Sequence, residues 1–375
     1  MRQIQLSVPT LFGLEGVAAE EMRRLGQKEV KGDNGRVYCL AEPKDIPRLN
    51  IGLRTGERVQ IVLGSFTALS FDDLFEQVKA LPWEDFIPRN GAFPVKGHTL
   101  NSQLASEPAC QSIIKKAVVD RLSAKYHTHT LPEDGLLYQI QFSLIKNQAV
   151  LLLDTTGSGL FKRGYREGGV MAPLRETLAA GLVLLSRYHG RESFCDPFCG
   201  SGTIPIEAAL IAKNRAPGLN RSFAAQKWPW LAAEAWTEAV DEALAKEYHG
   251  EYDIWGGDLD YSAIKAAEKN AVNAKVDDVV RFSVLDSAKL RRTEPSGRVV
   301  TNPPYGERLL EQRQAEMLYR DLGKAMQRMS GGWLSHIITS HPEFPKFYGL
   351  EPDKRRKLYN GLIKCTFYSY LPKIK

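Results

Sequence analysis

The tetrapeptide Asn302-Pro303-Pro304-Tyr305 has the residue types needed to activate a planar exocyclic amine. The lone pair of such an amine is delocalised into its ring, which makes the nitrogen a poor nucleophile. The side-chain oxygen of Asn302 and the carbonyl of Pro303 can each accept one N–H bond and so direct the lone pair at a methyl donor. The prolines fix the backbone, and Tyr305 offers a ring for stacking an extruded base. Asn302, Pro303 and Tyr305 are therefore the predicted catalytic residues.

Four short apolar runs in the second half of the chain each end in a polar residue. These residues are Asp196, Asp258, Asp286 and Asn302. The runs alternate with helical segments, which is the pattern of a parallel α/β sheet. Ligands of open parallel sheets bind beyond the carboxyl ends of the strands, so the four side chains are expected along one rim. Any one of them alone is more simply a strand-end or capping residue, whereas four in succession predict a ligand site.

The segment from Asp196 to Thr203 indicates the kind of ligand. Gly200 and Gly202 allow the backbone to pass close to a bound group, and a helix is expected to begin just after them. The segment lacks the Gly-Lys-Ser/Thr ending of a phosphate-binding P-loop, and Pro205 replaces the third glycine of a dinucleotide fingerprint. An acid before such a turn instead resembles the first motif of S-adenosylmethionine methyltransferases.

This resemblance implies S-adenosyl-L-methionine as the cofactor and assigns roles to the acids. Asp196, Gly200 and Gly202 are expected to hold its methionine moiety. Asp258 is expected on the ribose, because a carboxylate accepts two hydrogen bonds from a vicinal diol, and Asp260 is the reserve candidate. Asp286 is expected beside the adenine amino group.

Three segments are expected to position these residues. Residues 1–65 read as a small α+β unit, with apolar spacing that predicts strands at 4–8, 36–40 and 58–63 and helices at 14–25 and 45–51. Residues 66–165 are predicted to form helices at 69–80 and 107–126 and a hairpin of strands 137–144 and 148–154. Residues 166–375 contain the alternating strands and helices described above.

Composition limits the classes of function. Hydrophobic residues make up 43% of the 375 residues and charged residues 25%, which is ordinary for a globular protein. No run of apolar residues approaches a membrane span, no signal peptide is apparent, and five cysteines without paired spacing favour a reducing compartment over a metal site. A cytoplasmic protein without a membrane or metal partner is expected. The net charge of +6 permits nucleic-acid binding without demonstrating it, and residues 66–165 carry ten basic and ten acidic side chains.

Longer strings resemble the THUMP-domain methyltransferases, and within them the bacterial 23S ribosomal RNA guanine-N2 methyltransferases. The likeness covers nearly the full length. It is carried by residues 109–117, 160–166, 172–179, 196–203, 302–309 and 357–361, the last of which resemble the family's closing hairpin, and by residues 216–219 and 228–229, which resemble the family's insertion after the first helix of the methyltransferase domain. The resemblance implies a ferredoxin-like domain at 1–65, a THUMP RNA-binding domain at 66–165 and a Rossmann-like methyltransferase domain at 166–375.

The same resemblance implies RNA, most specifically 23S ribosomal RNA, as the partner. It places Thr177 on a helix beneath the cofactor and makes Thr177 a candidate cofactor contact. It also makes Lys162, Arg163 and Arg166, at the junction into the last domain, candidate RNA contacts. Each of these basic residues could equally be an ordinary surface charge.

Several alternatives stay open at the level of sequence. Pro-Pro could simply mark a strand-to-loop turn. The tetrapeptide also suits a transfer-RNA guanine enzyme, an adenine-N6 DNA methyltransferase, or an enzyme that methylates a glutamine side chain of a protein. A non-enzymatic RNA-binding module with a decayed catalytic domain is disfavoured by the intact Asp196, Gly200, Gly202 and Asn302.

Overall fold

A computed structural model describes residues 3–166, 174–306, 309–329 and 332–371 of the chain. Within these ranges the strands are β1 (Ile4–Pro9), β2 (Lys28–Asp33), β3 (Arg36–Ala41), β4 (Gln60–Thr67), β5 (Val95–Leu100), β6 (Ile140–Ile145), β7 (Gln148–Asp154), β8 (Ser193–Asp196), β9 (Ile254–Asp258), β10 (Val280–Val284), β11 (Ser296–Thr301), β12 (Gly332–Thr339), β13 (Lys354–Asn360) and β14 (Ile363–Tyr370). The α-helices are α1 (Glu15–Arg24), α2 (Asp45–Gly52), α3 (Phe71–Lys79), α4 (Glu107–Tyr126), α5 (Glu176–Leu185), α6 (Thr203–Ala212), α7 (Ala233–Ala245), α8 (Tyr261–Ala274), α9 (Leu309–Arg328) and α10 (Phe344–Tyr348). Short 3₁₀ helices lie at Trp83–Asp85, Ala224–Lys227 and Ser287–Lys289.

The first seven strands form one sheet in the order β2-β3-β1-β4-β7-β6-β5. Strand β4 pairs antiparallel with β1 on one side and with β7 on the other. The predicted boundary between residues 65 and 66 falls inside β4, so the two N-terminal units share a continuous sheet. The hairpin between β6 and β7 turns at Lys146 and Asn147, as predicted, and both residues have positive φ angles of 51° and 65°.

Two strands of this sheet were absent from the sequence-based prediction. Strand β2 has the sequence Lys-Glu-Val-Lys-Gly-Asp, and five of its six residues are exposed. Strand β5 follows a proline-rich stretch and carries only scattered apolar residues. Both lie at the edges of the sheet, where one face or side stays in solvent and hydrophobic alternation is therefore weak.

The other seven strands form a second sheet in the order β10-β9-β8-β11-β12-β14-β13. Strands β8 to β12 pair in parallel, and β14 and β13 complete the sheet in antiparallel fashion. The chain moves from β8 outward through β9 to β10, then returns to place β11 on the opposite side of β8. This reversal creates a switch point between β8 and β11, the position at which open α/β sheets bind ligands. The Rossmann-like expectation is confirmed.

The N-terminal half, which contains the first sheet, and the C-terminal half, which contains the second, are joined by a segment inserted after α6. Trp228 stacks on Tyr138 of the N-terminal half, with ring centroids 4.8 Å apart, and its indole N–H donates to the carbonyl of Leu137 at 3.0 Å. Trp230 donates to the carbonyl of Phe86 at 3.0 Å. The insertion is therefore part of the N-terminal hydrophobic core, although it belongs to the methyltransferase segment in sequence. Among the described residues no helix is both long and apolar enough to cross a bilayer.

Candidate active site

A cavity of about 750 Å³ lies at the carboxyl ends of β8, β9, β10 and β11. We call it the rim cavity. Its wall contains most of the predicted site residues, namely Asp196, Gly200, Asp258, Asp286, Asn302, Pro303 and Tyr305. Parallel strands end at the same edge of a sheet, and this is why residues more than a hundred positions apart meet here. The volume lies within the usual range for small-molecule sites.

Asp196 ends β8 and is 1% exposed. Its Oδ1 accepts hydrogen bonds from the Thr301 hydroxyl at 2.6 Å and from the Phe198 backbone N–H at 3.1 Å. Its Oδ2 is buried and has no partner within the described ranges. Burial, together with the nearby charge of Asp258, raises the pKa of Asp196 to about 7, although the two hydrogen bonds act in the opposite direction. An unsatisfied buried acceptor of this kind is suited to a positively charged donor on a ligand.

The two glycines of the first turn serve different purposes. Gly200 has a φ of +52°, lines the rim cavity, and a Cβ at this position would meet no atom within 4 Å. A side chain there would project into open space that a ligand can use. Gly202 has a φ of +82° and caps α6, and a Cβ would lie 2.9 Å from both Ala267 and Phe282. Gly202 does not line the rim cavity. Its lack of a side chain instead allows Ala267 and Phe282 to pack closely against the turn.

Asp258 ends β9 and is held by two backbone groups. Its Oδ2 accepts the Gly200 N–H at 2.9 Å and its Oδ1 accepts the Asp260 N–H at 3.0 Å. Each oxygen retains a second lone pair for a ligand hydroxyl. Asp260, the reserve candidate, instead caps α8 by accepting from the backbone and hydroxyl of Ser262. Of the two acids, Asp258 is the one that lines the rim cavity.

Asp286 follows β10 and caps a short 3₁₀ helix, where its Oδ1 accepts the Ala288 N–H at 3.0 Å. It lines the rim cavity beside Leu285 and Ser287. One carboxylate oxygen, Oδ1, is used by the cap. This arrangement is compatible with the predicted position beside an adenine amino group.

Asn302 lies at the switch point, directly after β11. Its side-chain oxygen is buried and has no hydrogen-bond partner among the residues described. The loop that follows is fixed by Tyr319 of α9, whose hydroxyl donates to the carbonyl of Pro304 at 2.6 Å. Tyr319 had no signal in the sequence, because a tyrosine in an amphipathic helix is most simply a core residue.

Tyr305 joins this loop to the hairpin of β13 and β14. Its hydroxyl lies 3.5 Å from the Asn360 amide and 3.6 Å from the Cys365 sulfur. Burial raises the pKa of Tyr305 well above that of an ordinary phenol. Asn360, Gly361 and Ile363 also line the rim cavity. Nothing in the sequence indicated that this hairpin contributes to the site, because its residues lie more than fifty positions after Asn302.

Thr177 does not line the rim cavity. It is fully buried, and its hydroxyl donates to the carboxylate of Glu57 in the N-terminal half. The adjoining Arg175 pairs with the same carboxylate at 3.2 Å. The predicted cofactor contact of Thr177 is therefore corrected to a structural contact between the two halves of the chain. Residues 172 and 173, the first two of the similar segment 172–179 that contains Thr177, lie outside the described residues.

The structure also corrects one of the three predicted RNA contacts. Arg163 is 2% exposed and pairs with the buried Glu207 at 3.4 Å, so it is an interior residue and its prediction as an RNA contact is wrong. Arg166 is partly buried and donates to the Thr203 hydroxyl at 2.7 Å. Lys162 is exposed, and its contact with RNA stays a prediction.

All five cysteines are buried and free of disulfides. In the part of the chain that the structure describes, no group of three or more His, Cys, Asp or Glu side chains is arranged to hold a metal ion. Cys195 and Cys199 lie beside Asp196, where burial and that carboxylate raise their pKa values well above the ordinary thiol value.

Comparison with known families agrees with this geometry. The model of the RMKL-like methyltransferase domain matches residues 163–369. This chain belongs to the RMKL-like methyltransferase family. The RlmL ferredoxin-like domain model matches residues 5–60, and the THUMP domain model matches residues 68–154. The predicted family and the predicted order of the three folds are therefore confirmed.

Individual relatives extend the likeness to the full chain. "Putative RNA methyltransferase YpsC" of Bacillus subtilis is 41% identical over 100% of this chain and 98% of its own length. "Ribosomal RNA large subunit methyltransferase K/L" of Syntrophotalea carbinolica is 33% identical over 96% of this chain, but the match covers only 52% of that longer relative. The chain thus spans about half the length of its K/L relatives.

A solved structure identifies the cofactor class. The crystal structure of SMU.472, a putative methyltransferase complexed with SAH, is 38% identical, has a TM-score of 0.94 and aligns over 100% of both chains. SAH is the product that S-adenosylmethionine leaves after methyl transfer. The unpartnered Asp196 oxygen, the open space at Gly200 and the acids at 258 and 286 fit that cofactor. The protein is an S-adenosylmethionine-dependent methyltransferase.

Proposed function

We propose that this enzyme methylates the 2-amino group of a guanine in large-subunit ribosomal RNA. The observation that supports it best is the buried, unpartnered oxygen of Asn302 in the wall of the rim cavity. A buried acceptor without a donor is costly, unless a ligand supplies the donor. The amine to be methylated is such a ligand.

The acids of the rim cavity bind and orient the cofactor, which supplies the methyl group. Asp258 accepts the ribose hydroxyls with the lone pairs that its two backbone bonds leave unused. Asp196 accepts from the ammonium of the methionine moiety through Oδ2. Gly200 leaves the space through which that moiety passes.

The catalytic loop acts on the target amine. Asn302 Oδ1 and the Pro303 carbonyl accept its two N–H bonds, and the lone pair is thereby directed at the methyl carbon. Tyr319 keeps the loop in place through the Pro304 carbonyl. The nitrogen–carbon bond forms as the methyl carbon–sulfur bond breaks, which leaves the cofactor as the neutral thioether S-adenosylhomocysteine and makes the nitrogen cationic. The nitrogen then loses a proton to solvent, so no strong general base is required.

RNA is proposed as the substrate on two grounds. The THUMP domain model matches residues 68–154, and the curated relatives are named as RNA or ribosomal RNA methyltransferases. Guanine N2 rests on the resemblance of residues 302–309 to the guanine-N2 branch, since the tetrapeptide itself suits any conjugated amine. Lys162 is proposed as a surface contact of this RNA.

The test offers tritiated S-adenosylmethionine together with naked ribosomal RNA, assembled subunits or bulk transfer RNA. We expect label in naked or partly assembled large-subunit RNA, because the base must be extruded to reach Asn302. Nucleoside mass analysis should identify N2-methylguanosine, and Asn302→Ala serves as the matched inactive control. Label confined to transfer RNA would overturn the ribosomal assignment, and N6-methyladenine would overturn the choice of base.

A further inference from the structure

A second cavity, of about 420 Å³, lies between α1, α2 and the insertion helix α7. We call it the Arg54 cavity. It shares no lining residue with the rim cavity. Its charged wall residues are the cations Arg24, Arg48, Arg54 and Lys246 and the acids Glu21 and Glu242. The wall therefore carries more cations than acids.

Arg54 is 9% exposed, and within the described residues no acid is bonded to its guanidinium. Its Nη1 is buried and unpartnered within the described residues, and no hydrogen bond or ion pair of the guanidinium is formed in those parts of the chain. Glu21 is close, but its carboxylate accepts the backbone N–H groups of Arg54 and Thr55, at 2.9 and 3.0 Å, and the Thr55 hydroxyl. Glu207 also lies nearby and is bonded to Arg163 and Tyr165.

The remaining cations of the wall have acid partners at its edge. Glu242 binds both Arg48 and Lys246, at 2.8 and 2.6 Å, and Arg24 pairs with Glu20 outside the cavity at 3.2 Å. Such half-exposed pairs are weak and exchange readily for a stronger anion. The Arg54 guanidinium, in contrast, lies near the charges of Glu21 and Glu207 but has no acceptor bonded to Nη1 within the described residues, so this donor is left for an anion.

Strand β13 links this region to the rim cavity. Asn360 lines the rim cavity, and Arg356, four residues earlier and hence on the same side of the strand, lines a third cavity of about 380 Å³. That cavity shares Glu21, Arg24 and Leu184 with the Arg54 cavity. A nucleic-acid strand whose target base enters the rim cavity can therefore follow β13 to Arg54.

We propose that the Arg54 cavity binds a backbone phosphate of the substrate RNA, at a distance along the strand from the methylated base. The planar guanidinium matches two phosphate oxygens, and Arg48 and Lys246 are placed to add further donors. The phosphate supplies the acceptor oxygens that Arg54 Nη1 lacks in the described part of the chain. This inference rests on the proposed function, because it takes the bound strand to be the methylated RNA.

The first experiment measures the melting temperature of the full chain in inorganic phosphate against an equal concentration of chloride. Phosphate should raise the melting temperature of the wild type and of Arg281→Gln, a control that removes one exposed charge from β10. Arg54→Gln should lose the rise, and Arg54→Lys should keep part of it. Glu242→Gln should enlarge it, because Arg48 and Lys246 are then released. Cofactor affinity reports that each variant is folded.

The second experiment measures binding of a large-subunit RNA fragment over a range of salt concentrations. Arg54→Gln should lose one phosphate contact, so the fall of log affinity with log salt should become shallower by about 1 in slope. Arg281→Gln should leave this slope unchanged. The Michaelis constant for RNA should rise about tenfold while turnover at saturating RNA stays the same.

Three outcomes separate the possibilities. Equal stabilisation of wild type and Arg54→Gln by phosphate would overturn the site. An Arg54-dependent phosphate effect with an unchanged RNA salt slope would overturn RNA as its source and indicate a free phosphorylated compound. A third outcome is that the wild type methylates no RNA while Arg54→Gln still abolishes the stabilisation by phosphate and still changes the salt slope of RNA binding. That result would refute the proposed function and support the phosphate site.

Discussion

The rim cavity and the Arg54 cavity both contain a buried polar atom without a partner, but of opposite kind. The rim cavity presents two unsatisfied acceptors, Asp196 Oδ2 and Asn302 Oδ1, and the Arg54 cavity presents an unsatisfied donor. Secondary structure satisfies most buried polar groups in a folded chain, so exceptions indicate where a ligand completes the bonding. The first cavity is therefore suited to cationic and amine groups, and the second to an anion.

The largest expected effect comes from removing the acceptor for the amine. Asn302→Ala should lower turnover by about 10²- to 10³-fold, the usual cost of one preorganised transition-state contact, and leave cofactor affinity nearly intact. Single-turnover rates and titration calorimetry measure the two quantities. Asn302→Asp retains an oxygen acceptor and should recover part of the rate. A loss of cofactor affinity equal to the loss of rate would move Asn302 from the amine to the cofactor.

A smaller effect is expected for the ribose. Asp258→Ala should weaken cofactor binding by about 1–3 kcal/mol, because it removes hydrogen bonds to a charged acceptor. Asp260→Ala is the matched control, since Asp260 caps α8 and does not line the rim cavity. The control should lose a little folding stability, because a helix cap is removed, and little cofactor affinity. The reverse result would exchange the roles of the two acids.

The pKa of Asp196 predicts a pH dependence of cofactor binding. Because burial raises this pKa to about 7, the carboxylate is ionised above that pH and protonated below it. The affinity for the cationic cofactor should therefore fall by up to about tenfold for each pH unit below 7. Calorimetry across this range provides the test, and Asp196→Asn should bind weakly with little pH dependence. Equal wild-type affinities on both sides of pH 7 would contradict an ammonium contact.

The same carboxyl should affect stability with the opposite trend. The folded protein without cofactor holds a proton on Asp196 between the ordinary value of 3.8 and about 7, whereas the unfolded chain releases it. The free energy of unfolding should thus decrease as the pH rises through this window, and Asp196→Asn should reduce that decrease. Urea denaturation at a series of pH values measures it. A wild-type stability that rose through the window would refute the assignment.

The smallest effect is expected on the melting temperature, for which the buried groups of Asp196 and Arg54 can be compared directly. In the absence of ligands, Asp196→Asn above pH 7 and Arg54→Gln should each raise the melting temperature by a few degrees, since each removes a buried charged group with a polar atom that no partner bonds. Burial also lowers the pKa of Arg54, which has the same physical origin. A marked fall in the melting temperature of Arg54→Gln in phosphate-free buffer would show that Glu21 and Glu207 already balance it.

Elements with a strong internal pattern were predictable. The apolar spacing of α4 gave its bounds, Glu107–Tyr126, without error, and the strands that end at Asp196, Asp258 and Asn302 were found within a few residues. These elements bury a continuous face or are buried on both sides, so their own residues carry the signal. The rim cavity followed from them, because parallel strands must end at a common edge.

The remaining features depend on partners that are remote in sequence. Sequence similarity indicated that Trp228 belongs to an insertion of the methyltransferase segment, but Trp228 packs against Tyr138 in the N-terminal core. A fragment that began at residue 166 would expose this surface. Likewise, Arg163 looked like a surface cation until the fold placed Glu207 beside it. Nothing local distinguishes such residues, since burial is decided by which elements meet.

The sequence by itself determined the chemistry of this protein. The acids at strand ends and the glycine turn indicate a methyl donor, and the Asn302 tetrapeptide predicts an amine as its acceptor, because those functions depend on residue type and short spacing. Only the tertiary structure decided which polar atoms were left unsatisfied. It assigned Asp260 to a cap and Thr177 to Glu57, brought Asn360 to Tyr305, and left Arg54 without a bonded acid. Partnership between polar groups is a property of three-dimensional proximity, and composition and spacing along the chain do not encode it locally.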